Sequence, residues 1–181
     1  MIYCASRREG AFGETIARFR PDLTLLARLK EITDSTPDNL EQEMGKIPAD
    51  WRSKRTIGVA SLDSSLLCVD LATGESIQYF REVLAPIGVR LGLPDIDLST
   101  FTTSKRPLTQ AAARHIYELK DQQGNPQFDG IRYISRLNSE WECWAFFDAR
   151  IRFSTVNVEN ILANDSALRS VARLFKLTIE P

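Results

Sequence analysis

The apolar residues of this sequence fall in short runs that switch between helical and strand spacing, and this alternation restricts the fold most. Phe12, Ile16 and Phe19 recur at helical intervals, whereas residues 2–5 and 130–136 have the composition of short strands. The two kinds of segment follow one another without a regular βαβ rhythm. We therefore predict the α+β class, as a single domain with a mixed sheet core flanked by helices.

Proline, glycine and capping residues set the predicted boundaries of these segments. The predicted helices cover residues 10–20, 38–44, 76–84, 107–119 and 166–175, and residues 23–32 are expected to form a further short element. The predicted strands cover residues 2–5, 66–71, 130–136, 142–147 and 151–156. Residues 88–106 are rich in Gly, Pro, Ser and Thr, and we expect a loop there with short extended pieces.

Composition excludes several classes of protein. No apolar run approaches the roughly 18–20 residues of a membrane-spanning helix, and residues 1–10 lack the order of a signal peptide. Lys and Arg (23) nearly balance Asp and Glu (24), which argues against a strongly basic nucleic-acid binder. Cys4, Cys68 and Cys143 are widely spaced, as is typical of reduced thiols. These features predict a soluble cytoplasmic protein that binds neither membrane nor nucleic acid.

The common metal and nucleotide motifs are missing from the sequence. His115 is the sole histidine and no Cys-x-x-Cys pair occurs, so we expect no zinc site. The sequence also lacks the Gly-x-Gly-x-x-Gly fingerprint and the Gly-x-x-x-x-Gly-Lys-Ser/Thr loop. Their absence leaves open a nucleotide that is bound in another way.

Glu14 is the first candidate for chemistry. It lies away from Phe12 and Ile16 around the predicted helix, so a solvated surface glutamate is the alternative interpretation. Glu14 is nevertheless a candidate because Tyr3 lies on the short strand that leads into its helix.

Ser135 is the second candidate. Strand alternation puts Ile131, Tyr133 and Ser135 on one face, so the serine would lie at the end of an apolar face, where a cleft begins. The alternative is a buried serine that merely bonds neighbouring backbone.

Arginines form the third group of candidates. Arg52, Arg55, Arg132 and Arg136 have planar guanidinium groups that suit phosphate, and Trp51 offers a ring for stacking. The alternative is a salt-bridged surface. A nucleic-acid module built on the 51–55 segment is a further hypothesis, which the near-zero net charge disfavours.

Three segments carry a resemblance to a known family: YCAS at residues 3–6, GAFGET at residues 10–15 and GIRYISR at residues 130–136. Together they resemble the RES domain, whose best-known members are toxins of bacterial RES–Xre toxin–antitoxin pairs. The resemblance runs from Tyr3 to about Val156. It predicts a RES-like domain over residues 1–156 and a C-terminal helical extension over residues 157–181, packed on the same domain.

The resemblance implies a fold similar to ADP-ribosyltransferases and an activity on NAD as substrate, with no metal. Such toxins cleave the nicotinamide–ribose bond and pass ADP-ribose to water, phosphate or a protein, as hydrolases or transferases, and an Xre-family antitoxin neutralises them. Residue by residue, Glu14 matches the family glutamate, Ser135 its serine and Tyr3 the tyrosine of the opening strand. The implied roles are catalytic for Glu14 and Ser135 and NAD-binding for Tyr3.

One family position has no counterpart in this sequence. The family arginine lies on a strand upstream of the tyrosine, whereas Met1 stands two residues before Tyr3. Arg52 and Arg136, with Arg55, are the candidates to replace it at the NAD phosphates. The alternative function is a catalytically inactive or N-terminally truncated RES fold that acts as a protein-binding partner, so enzymatic activity stays open at this point.

Overall fold

The computed structural model describes residues 1–31, 45–62, 65–102 and 106–181. In chain order the described helices are α1 (Arg8–Ile16), α2 (Leu23–Glu31), α3 (Ala49–Ser53), α4 (Gly74–Val83), α5 (Ala85–Arg90), α6 (Leu98–Thr102), α7 (Arg106–Glu118) and α8 (Ser166–Leu174). The described strands are β1 (Ile2–Ala5), β2 (Lys46–Ile47), β3 (Thr56–Leu62), β4 (Cys68–Asp70), β5 (Gly130–Ile134), β6 (Glu142–Phe146), β7 (Phe153–Asn160) and β8 (Thr178–Ile179). The mixed helix and sheet content confirms the predicted α+β class.

The chain divides into two compact units. The first unit comprises Met1–Gly10 and Ala60–Thr155, and the second comprises Ala11–Val59 and Val156–Pro181. The division into residues 1–156 and a C-terminal extension stays a prediction. Among the described residues, none of the helices has both the length and the apolar character that crossing a membrane requires.

The first unit is built on a four-stranded sheet in the order β1-β6-β5-β4. Strand β6 pairs antiparallel with both β1 and β5, and β5 pairs parallel with β4. The register places Tyr3, Ala145, Ile131 and Val69 in one row across the sheet. Side chains alternate between the two faces of a sheet, so the flanking rows point to the opposite face.

Helices α4, α5 and α7 pack with this sheet to form the hydrophobic core of the first unit. Leu108, Ala112 and Ile116 recur every fourth residue on α7 and are buried, as the helical spacing predicts. The core also contains Leu71, Phe80, Leu84, Ile96, Ile131, Ala145 and Phe147. The core thus fixes β5 and β6 at the centre of the unit.

The predicted loop over residues 88–106 is wrong at two places in the described residues, because α5 extends to Arg90 and α6 covers Leu98–Thr102. Pro86 lies in the first turn of α5, where a missing N–H costs no hydrogen bond, so it begins a helix rather than ending one. Asp97 then caps α6, because its carboxylate accepts hydrogen bonds from the Thr100 amide at 3.0 Å and the Ser99 hydroxyl at 2.7 Å.

Near the N-terminus, the helix predicted over residues 10–20 begins earlier, at Arg8, and gives way to a 3₁₀ turn over Ala17–Phe19. The helix predicted over residues 38–44 lies outside the described residues.

The second unit contains the C-terminal helix α8 and a parallel pair of short strands, β2 and β8. Helix α8 buries Leu168 and Val171, and the Asp165 carboxylate caps its first turn. On α1, Phe12 and Ile16 are buried as the helical spacing predicts. Strands β3 and β7 form a separate two-stranded sheet, and each contributes residues to both units.

Candidate functional site

Tyr3 and Ser135 lie in the same sheet of the first unit. Tyr3 is on the edge strand β1 opposite Ala145 of β6, and its side chain is 69% exposed. Ser135 directly follows β5, and its backbone N–H donates to the Trp141 carbonyl at 2.9 Å, just before β6 begins. The sheet therefore places Tyr3 on one strand that flanks β6 and Ser135 at the end of the other, with the tyrosine ring exposed.

Ser135 ends the apolar face of β5. Ile131 belongs to the hydrophobic core and Tyr133 packs against it, which confirms the predicted alternation along this strand. The Ser135 side chain is buried, and its Oγ accepts a hydrogen bond from the Leu137 amide at 3.1 Å. Such a bond to nearby backbone holds a serine at a turn. It fixes the hydroxyl at the end of the strand.

The remaining predicted site residues occupy different settings. Arg136 follows Ser135 in the first unit and is exposed. Glu14 and Arg52 belong to the second unit. Glu14 lies on the exposed side of α1, opposite to the buried side chains of that helix. Of the predicted site residues, Tyr3, Ser135 and Arg136 belong to the first unit, and Ser135 lies four residues beyond Ile131, the β5 residue in the row of Tyr3.

Arg52 lies on α3 and is partly buried. Its guanidinium donates to the Glu180 carbonyl, which ties α3 to the C-terminal residues of the second unit. Its Nε is a buried donor that has no hydrogen-bond partner within the described part of the chain. The role of Arg52 at a phosphate stays a prediction. In the structure its guanidinium joins α3 to the C-terminal residues.

Trp51 is not placed for stacking with a ligand. Its side chain is 4% exposed, and the edge of Phe19 packs against it with ring centroids 5.9 Å apart. The Arg55 guanidinium lies over the indole, 5.3 Å from the ring centroid. Burial thus removes Trp51 from the surface where the nucleic-acid hypothesis needed it, whereas Arg55 stays exposed while it packs on the indole.

A polar cluster spans the other face of the four-stranded sheet. Arg132 on β5 donates to Asp70 on β4, and its Nε donates to Glu142 on β6 at 2.6 Å. Ser6 donates to the second carboxylate oxygen of Glu142 and accepts from Trp144 Nε1 at 2.8 Å. We call these five residues the sheet clamp, because they join all four strands.

The sheet clamp favours the charged forms of Glu142 and Arg132. The Ser6 hydroxyl and the Arg132 guanidinium lower the pKa of Glu142 below its ordinary value. The hydrogen bond to Glu142 and the charge of Asp70 raise the pKa of Arg132 further above its usual range. A guanidinium matched to two carboxylates is suited to joining strands rather than to transferring protons. Arg132, one of the predicted phosphate ligands, is therefore part of an ion-pair network.

Sequence reasoning did not identify Ser6, Asp70 or Glu142. Alternation along β5 showed that Arg132 points away from Ile131, but the pairing register that brings Glu142 beside it is not visible in the sequence. The one available signal was the opposite charge of residues on two neighbouring predicted strands.

Comparison with protein families gives one match. The family model described as RES domain matches residues 1–168, which include all three segments that carry the resemblance. No curated protein matches the chain, and no solved structure does.

Proposed function

Because the chain belongs to the RES domain family, we propose that it is a toxin that consumes NAD by cleaving the bond between nicotinamide and ribose. The observation that carries the proposal is the family match over residues 1–168, which contains Tyr3, Glu14 and Ser135 together with their surrounding motifs. The exposure of Tyr3 and the position of Ser135 at the end of a strand support it.

The proposed reaction breaks the glycosidic bond from ribose C1′ to the nicotinamide nitrogen. The bonding electron pair leaves with neutral nicotinamide, and positive charge develops on the ribose. An oxygen of water, phosphate or a protein side chain then bonds to C1′ and releases a proton. Since no electrons are gained or lost overall, the chemistry needs no oxidant or reductant.

Glu14 is proposed as the carboxylate that stabilises the positive charge on the ribose. A carboxylate suits this role because its charge is opposite to that of the transition state. Tyr3 is proposed to stack on the nicotinamide ring, for which an exposed aromatic side chain is suited. Ser135 is proposed to hydrogen-bond the bound ribose or amide, and Arg136 and Arg52 to contact the phosphates.

A cell that makes a toxin of this kind needs an inhibitor of the toxin's activity. We propose that an Xre-family antitoxin neutralises the chain in the cytoplasm of a bacterium, as the family resemblance implies. Co-purification of the two proteins from cells that express both is the direct test. Toxicity that persists when the antitoxin is present would contradict this part of the proposal.

The first experiment is to measure NAD loss and nicotinamide release by the purified full chain, with and without inorganic phosphate. A phosphate-dependent sugar product would identify a phosphorylase, and free ADP-ribose would identify a glycohydrolase. The matched pair of variants is Glu14→Gln and Glu118→Gln, since both glutamates are exposed on helices. We expect Glu14→Gln to lower kcat by about 100-fold and Glu118→Gln to leave it unchanged.

Two outcomes would overturn the proposal. Unchanged turnover in Glu14→Gln would show that this carboxylate is not catalytic. No turnover by the folded chain, in the absence of antitoxin and with either acceptor, would favour the alternative of an inactive RES fold that serves as a protein-binding partner.

A further inference from the structure

An open groove in the second unit lies beside α8 and β8 and has a volume of about 610 Å³. Ala172, Leu177 and Ile179 supply apolar lining, and the charged lining residues are Arg169 and Arg173. Five of the seven lining residues lie beyond the stretch 1–168 that the family model matches, and Ala163 and Asn164 lie within it. The groove is therefore a feature that the proposed NAD chemistry does not account for.

In the part of the chain that the structure describes, one edge of β8 pairs with β2, and the other edge, at the groove residue Ile179, has no strand beside it. The Thr178 amide donates to Gly45 at 3.0 Å and the Glu180 amide donates to Ile47 at 3.1 Å, so these two residues direct their amides toward the β2 side. Because successive residues of a strand direct their backbone groups to opposite sides, the N–H and C=O of Ile179 face away from β2. Within the described residues, β2 is the sole strand that pairs with β8.

The charged residues that line the groove are both positive. Arg169 and Arg173 are four residues apart on α8 and thus lie on the same side of the helix. The described lining residues include no acidic side chain, and the two acidic residues nearest in sequence accept hydrogen bonds from backbone amides. Asp165 accepts from the amides of Ala167 and Leu168, and Glu180 accepts from the Ala49 amide.

We propose that this groove binds an extended acidic segment of a partner protein. The segment would pair its backbone with the open edge at Ile179, as strands added to a sheet do, and its carboxylates would meet Arg169 and Arg173. The strand edge favours an extended polypeptide, and the two guanidinium groups favour acidic side chains. The apolar lining would contact the aliphatic parts of the bound side chains.

The test is fluorescence polarisation with the full chain and a fluorescein-labelled peptide of alternating valine and glutamate. We expect saturable binding that weakens as salt is raised, and no binding of the matched peptide of alternating valine and lysine. The double variant Arg169→Glu with Arg173→Glu should weaken binding by about tenfold or more. Arg114→Glu is the control, because Arg114 is an exposed arginine on helix α7 of the first unit.

Hydrogen exchange gives a second readout of strand addition. We expect the peptide to slow exchange at the Ile179 amide, which pairs with no strand in the free chain as far as the structure describes it. Equal binding of both peptides, competition by inorganic phosphate alone, or competition by an oligonucleotide at equal charge would overturn the proposal. Unchanged exchange at Ile179 would do the same. Since NAD turnover is not measured, these outcomes are independent of the proposed enzymatic function.

Discussion

Arg132 and Glu142 are joined through one carboxylate oxygen across neighbouring strands of the central sheet. The Nε of Arg132 lies 2.6 Å and its second terminal nitrogen 2.5 Å from the same Oε2 of Glu142. The other oxygen of Glu142 accepts from Ser6, and the guanidinium also reaches Asp70. One side chain thus links β4, β5 and β6, directly before the strand end at which Ser135 lies.

Replacing Glu142 by Gln should destabilise the fold in a pH-dependent way. The pKa of Glu142 is lowered in the folded state, so its charge stabilises the protein above the ordinary glutamate pKa of about 4.3. That contribution is lost as pH falls through this value toward the folded-state pKa. We expect Glu142→Gln to lower the free energy of unfolding by about 1–3 kcal/mol at pH 7, and by less at pH 3.

Urea denaturation at the two pH values measures this difference. Glu140→Gln is the control, since Glu140 is exposed and close in sequence. An equal loss of stability for Glu142→Gln at both pH values would show that the carboxylate charge does not stabilise the sheet.

Gly130 is a position where a side chain does not fit. A Cβ at this residue would lie 2.8 Å from a ring carbon of Phe146 and 3.0 Å from the Ala145 carbonyl oxygen on the neighbouring strand. We expect Gly130→Ala to lower the free energy of unfolding by about 1–3 kcal/mol, because the β5–β6 pair must separate. Gly74→Ala, where nothing lies within 4 Å of the new Cβ, should be neutral or slightly stabilising. Thermal denaturation of the two variants measures this difference in stability. Equal melting temperatures would contradict the close approach of Phe146 to Gly130.

The case of Gly130 shows what the sequence could and could not predict. The GIRYISR motif was visible in the sequence, and alternation correctly placed Ile131 and Tyr133 toward the core. The reason for its glycine lies in Phe146, sixteen positions away along the chain, and the pairing register that brings the two together requires the folded sheet.

Elements with a clear hydrophobic face were predicted well, whereas the exposed strand β3 and the short helix α6 were missed. The spacing on α7 placed Leu108, Ala112 and Ile116 correctly. Strand β3 was missed, and its side chains are exposed on nearly every position, so it has no buried face. Helix α6 was missed because the composition of this stretch is typical of a loop. The Asp97 carboxylate, which caps the helix, outweighs that tendency.

Cys68 should react slowly as a thiol. Burial, followed by the negative charge of Asp129, raises the pKa of Cys68 to about 11. At pH 8 the reactive thiolate is therefore scarce, and we expect alkylation by iodoacetamide to be at least about tenfold slower in the folded chain than in urea. Asp129→Asn should speed the reaction and shift its pH profile to lower pH, because the amide keeps an acceptor for the Leu67 N–H but removes the charge.

Labelling followed by peptide mass spectrometry reports the rate at Cys68 alone. Asp148→Asn is the control, since Asp148 is an exposed aspartate whose ion pair is with the N-terminal amine. A Cys68 rate that is the same in folded and unfolded chains would contradict the raised pKa.

Ser135→Ala separates the hydrogen bond that this serine makes in the structure from its proposed role in binding NAD. The variant leaves the Leu137 amide without its acceptor, so we expect the free energy of unfolding to fall by about 1–3 kcal/mol. If the hydroxyl also binds NAD, kcat/KM for nicotinamide release should fall by about tenfold or more at a temperature where the variant is fully folded. Ser139→Ala is the control, because Ser139 lies exposed in the same turn. A purely structural serine would lower the melting temperature and leave kcat/KM unchanged, and that result would remove Ser135 from the proposed site.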